Sequence, residues 1–84
     1  MPMSMTERVH ETRKLFLHVV NMEARAEGVS RAVAYPRLCR SFYLMLAKSG
    51  IYSNDHKWLE TRDEKFQKKL VELCLARIKE LLSN

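Results

Sequence analysis

Only two glycines and two prolines punctuate the 84 residues. With so little loop-forming material and 46% apolar residues, the chain is neither low-complexity nor disordered and reads as one small domain. Cysteine is equally scarce. Cys39 and Cys74 each sit inside an apolar helical run, which fits reduced, buried thiols in a cytoplasmic protein and not a disulfide framework. A secretory leader is not expected, because Met1–Thr6 is small and polar without a cationic start to an apolar stretch. The longest apolar run, Phe42–Ala47, is far too short to span a membrane. The last scarcity is local. Residues 29–53 contain no acid but carry Arg31, Arg37, Arg40 and Lys48, so four of the five net positive charges fall there. The flanking thirds are nearly balanced, with four acids against four bases in 1–28 and six against seven in 54–84.

What remains is helical periodicity. Ser4-Met-Thr-Glu7 has the form of a capping box, in which the Ser hydroxyl and the Glu carboxylate satisfy free first-turn amides. A helix then runs to about Glu27 and stops at Gly28. Met5, Val9, Phe16, Val20 and Ala24 make its apolar stripe; His10, Lys14, His18, Asn21 and Arg25 line the other face. Ser30 caps a short turn, and Tyr35-Pro36 is expected to break the chain there, because a residue before proline avoids helical angles. The second helix is expected from Pro36 to about Lys48, apolar over most of its circumference and therefore in the middle of the fold. After the apolar link Ile51-Tyr52 and the turn residues Ser53-Asn54-Asp55, a short turn carries Trp58 and Leu59. Thr61-Arg-Asp-Glu64 has the form of a second capping box, opening a helix to about Leu82. The fold class expected is all-α, a small three- to four-helix bundle. Its expected core is Val9, Phe16, Val20, Leu38, Phe42, Met45, Leu46, Leu59, Phe66, Leu70, Leu73 and Ile78.

Catalytic chemistry finds little support. His10, His18, His56, Cys39 and Cys74 are zinc-type ligands, yet no pair has ligand spacing. His10 and His18 lie two turns apart, about 12 Å along a helix. Both glycines end helices, so no phosphate-cradling loop exists. Asp63-Glu64 suits the dipole at a helix start. The expectation is therefore no enzyme, no metal, no cofactor and no small-molecule substrate. Membrane attachment through the first helix is not expected either, because Glu7, Glu11, Glu23 and Glu27 offset its cations.

Binding is better supported. Arg31, Tyr35, Arg37, Arg40 and Lys48 form a basic strip interleaved with aromatics, suited to an acidic protein surface or to nucleic acid. The stretch Ala24-Arg-Ala-Glu-Gly28-Val29-Ser30-Arg31-Ala32 resembles the core of helix-turn-helix DNA-binding domains. That resemblance implies a turn centred on Gly28, with Ser30, Arg31 and Arg37 facing the major groove. Pro36 and the length of the preceding helix depart from the family's pattern, and no membership is claimed on nine residues. Leu75 and Leu82 widen the apolar stripe of the last helix beyond one core contact, which points to self-association as a homodimer. The expected function is an adaptor or regulator that self-associates and binds a larger protein, with nucleic-acid binding as the alternative.

Overall fold

The computed structural model describes residues 2–51 and 57–83; Tyr52, the turn residues Ser53-Asn54-Asp55 and His56 lie outside these. The described residues form an all-α bundle of α1 (Met5–Glu27), α2 (Arg31–Lys48) and α3 (Glu64–Leu82), with a 3-10 turn at Trp58–Glu60 before α3. Ser4 caps α1: its Oγ accepts the Glu7 N–H at 3.2 Å, while its hydroxyl donates to the Glu7 carboxylate at 3.0 Å. Half of the capping box is thus as expected; the Glu7 carboxylate takes the Ser4 hydroxyl in place of a backbone amide.

Both glycines end helices in the left-handed region, with φ of 67° at Gly28 and 71° at Gly50. At each, two backbone bonds close a Schellman motif. Gly28 and Val29 donate to the Arg25 and Ala24 carbonyls, and Gly50 and Ile51 to those of Ala47 and Leu46. Val29 and Ile51, the residues just past the glycines, both pack against the core.

The break expected at Tyr35-Pro36 does not occur, and α2 runs unbroken from Arg31 to Lys48 with Pro36 inside it. Proline withholds one amide and in a helix interior costs about 3 kcal/mol. Packing on both sides of it outweighs that cost. Ala34, Leu38, Phe42 and Leu46 recur every four residues and are all buried. The Tyr35 ring meets the edge of Phe16 at 5.8 Å. The turn before Pro36 therefore has burial of its own and continues the helix.

The opening of α3 also differs from expectation. Asp63, and not Thr61, is the cap, accepting the Phe66 N–H at 2.9 Å. Thr61 instead closes the 3-10 turn, donating its hydroxyl to the Trp58 carbonyl at 2.8 Å. The Gln67 side chain, wholly buried, donates to the Thr61 carbonyl at 2.8 Å and fastens that turn to α3.

The core is centred on Phe16, whose ring lies edge-on to Tyr35, Phe42 and Trp58 at 5.4–5.9 Å. Of the expected core, Phe16, Val20, Leu38, Phe42, Leu46, Leu59, Phe66 and Leu70 are buried, and Val9, Leu73 and Ile78 are half-buried. Met45 is a correction: it is 41% exposed, because at its level of α2 the buried side is set by Phe42 and Leu46, and at about 100° per residue Met45 lies about 60–100° to one side of them. Val19, Ala24, Ala34 and Cys74 complete the interior. The element on which all the others pack is α1, which meets α2, α3 and the 3-10 turn. α1 and α3 run in the same direction: Arg8 bridges Glu64 near their starts at 3.3 Å, and Glu23 meets Arg77 towards their ends at 3.1 Å.

Candidate binding surfaces

With α2 continuous, helical spacing divides the expected basic strip into two parts. Opposite the buried Ala34–Leu38–Phe42–Leu46 row lie Val33, Arg37, Arg40, Leu44 and Lys48, all exposed. Arg31 and Tyr35 fall elsewhere. They line a shallow groove against α1 together with Leu17, Asn21, Ala32 and Pro36. Arg37, Arg40 and Lys48 are therefore brought together, whereas Arg31 and Tyr35 belong to a neighbouring edge of the same helix.

The outward α2 face holds both charge and oil. Leu44 is 53% exposed and Val33 39%. Neither aliphatic was among the expected site residues. Positions 37, 40, 44 and 48 share a face already on a helix that starts at Pro36, whereas Val33 joins them only because the helix starts at Arg31. No acid occurs in α2. Arg37 reaches back to Glu27 at the end of α1 at 3.3 Å. Among the described residues, Arg31, Arg40 and Lys48 have no ion-pair partner.

Tyr43 is half-buried with its ring edge-on to Trp58 at 6.3 Å, so it supports the core and is not a free stacking platform. The groove residue Tyr35 lies beside Cys39, one turn on in α2. Burial and the neighbouring thiol push the Tyr35 hydroxyl above its ordinary range, and burial likewise raises Cys39 against the opposing pull of Tyr35. Cys74 is sealed in the core and pushed up to about 12. Both thiols are therefore protonated near neutrality, the opposite of what a nucleophilic cysteine needs.

A third surface lies on α3. Leu75 is 54% exposed and Leu82 73%, while Val71 and Ile78 are half-buried beside them. The Trp58 turn does not cover this strip; its indole packs on Phe16, Tyr43 and Phe66 instead. Glu64, in line with the strip, is bridged to Arg8, so this flank of α3 runs along the edge of α1.

One buried charge lies between α1 and α3. Glu23 is almost buried and faces the Arg77 guanidinium, which also holds Glu80 at 3.0 Å. Burial raises the Glu23 carboxyl above its ordinary range, with Arg77 pulling the other way. Among the described residues, no three His, Cys, Asp or Glu side chains gather as metal ligands, and no helix is long and apolar enough to cross a membrane. Comparison with protein-family profiles, with curated proteins and with solved structures finds no match for this chain.

Proposed function

We propose that this chain is a non-enzymatic cytoplasmic adaptor or regulator that binds a larger protein through the outward face of α2 and self-associates through α3. The observation that carries the reading is that face itself: Arg37, Arg40 and Lys48 alternate with exposed Val33 and Leu44 on a helix without a single acid. A partner that fits it is an acidic surface with apolar side chains between its carboxylates. Cations there steer the encounter, and the aliphatics supply contact area that a phosphate backbone would not use. Arg31 and Tyr35 extend the contact into the groove beside Leu17, where arginine and tyrosine are favoured anchors.

The test is to reverse Arg37 and Arg40 together to Glu and compare proteins retained from cell lysate by the wild-type and variant chains. Specific partners should be lost, while thermal stability changes by less than about 1 kcal/mol, since the single ion pair removed is exposed. Retention of the same partners by the folded variant would overturn the assignment.

A second reading, nucleic-acid binding, draws on one observation. The unbroken α2 removes the interruption at Pro36 that separated the Gly28 turn from the helix-turn-helix pattern, although α1, at 23 residues, still departs from it. Fluorescence anisotropy with a labelled generic duplex separates the two. Binding that weakens with salt at a log–log slope of about −0.9 per contacted phosphate would favour nucleic acid, and no binding at low salt would remove it.

A further inference from the structure

The apolar strip on α3, exposed at Leu75 and Leu82 and half-buried at Val71 and at Ile78, which also packs against the core, carries a register. Val71, Leu75, Ile78 and Leu82 are spaced 4, 3, 4, which is two heptads of a coiled-coil seam on one flank of the helix. Leu75 and Leu82 occupy one set of core positions and Val71 and Ile78 the other. On the solvent side of that seam stand Glu72 and Lys79, one heptad apart and both exposed. The bundle side of the seam is occupied by Cys74, which is buried, and Leu81, which is half-buried; neither carries a charge.

These positions distinguish the two ways in which a second copy can pack. With the helices antiparallel about a two-fold axis, Leu75 sits level with the partner's Ile78 and Leu82 with its Val71. Glu72 of each copy then falls opposite Lys79 of the other, so one two-fold generates two opposite-charge pairs. With the helices parallel, each residue is level with its own copy and Glu72 meets no cation. Lys79 has no ion-pair partner among the described residues, and Glu72 leans only loosely on Lys69 at 3.8 Å.

Building on the proposed self-association, we infer that a second copy of this chain docks antiparallel on the α3 strip, with register set by reciprocal Glu72–Lys79 pairs. Two heptads make a short seam, so the dimer is concentration-dependent and is assayed up to about 1 mM protein.

Sedimentation equilibrium of the full chain, with melting curves to confirm folding, provides the test. Leu75→Glu should weaken dimerisation at least about tenfold, because a carboxylate enters the apolar seam. Glu72→Lys and Lys79→Glu should each weaken it about three- to tenfold by setting like charges opposite one another. The double variant E72K/K79E should recover wild-type association. Loss on Leu75→Glu without any recovery in the charge-exchanged double variant would leave α3 as the self-association surface and overturn the antiparallel register. A wild-type chain that stays monomeric at about 1 mM would overturn both.

Discussion

Cations serve two different ends in this molecule. On the α1–α3 side they span elements: Arg8 reaches Glu64, Arg13 reaches Glu60, Arg62 reaches Thr6 and Arg77 reaches Glu23. On α2, among the described residues, only Arg37 reaches another helix, and Arg31, Arg40 and Lys48 project without a partner. The same residue type is thus used as a fastening where acids are at hand and left unspent where they are not. Exposed ion pairs contribute little stability each, so the contrast concerns surface chemistry. The fastened side is nearly neutral, and the unfastened side presents a field to whatever approaches.

The largest expected effect tests whether that contrast is confined to the surface. Phe16 touches aromatic rings from both sides of the molecule, Tyr35 and Phe42 from α2 and Trp58 from the turn before α3. Phe16→Ala should cost about 3–5 kcal/mol, enough to unfold most of so small a domain. Leu44→Ala, on the outward α2 face, should change stability by less than about 0.5 kcal/mol. Urea denaturation measures both. A mild Phe16→Ala would mean that the two sides are not joined through one core.

An intermediate effect is expected at Glu23 and Arg77, the fastening that is nearly buried. Burial lifts the folded Glu23 carboxyl above its ordinary 4.5, so the folded chain holds that proton more tightly than the unfolded one. Its contribution to stability is therefore most favourable below about 4.5 and is lost as pH rises through the folded value. Arg77 opposes the shift, and without it the folded value climbs further. Arg77→Met should cost about 1–3 kcal/mol near pH 7 by leaving a nearly buried carboxylate unpaired. The deficit should shrink on acidification to about pH 5, as the proton replaces the missing partner. A deficit equal at both pH values would place its source elsewhere.

The sequence made helix ends legible at Ser4, Gly28 and Gly50, which act as their residue types predict, whereas Ser30 stands at the start of α2 without a side-chain cap bond. It misled at Pro36, because local backbone preference there is opposed by the burial of Ala34 and Leu38 on either side, which only the folded chain supplies. It misled again at Thr61, where two acceptors two residues apart compete and the backbone angles at Asp63 favour the nearer one. Those errors explain what was legible of the binding surface. Arg37, Arg40 and Lys48 were visible as charge and Leu44 shares their face on the expected helix, but Val33 needed the correct start of α2 to fall into line with them. The pairing of Arg31 and Tyr35 with Leu17 across the α1–α2 groove is tertiary and leaves no trace in spacing.

The smallest expected effect is the sharpest for the contrast between the two sides, because it turns on a sign. Arg13→Ala removes a 2.8 Å pair with Glu60 and should cost about 0.2–1 kcal/mol, less in high salt. Arg40→Ala removes no ion-pair partner among the described residues. It relieves repulsion from Arg37, three residues earlier on the same face, and introduces a better helix former, so it should stabilise the fold by a few tenths of a kcal/mol. Thermal melts of the two variants at low and high salt compare them directly. If truncating Arg40 destabilises as much as truncating Arg13, then Arg40 is a fastening too, and the outward face of α2 has less charge to offer a partner than its composition suggests.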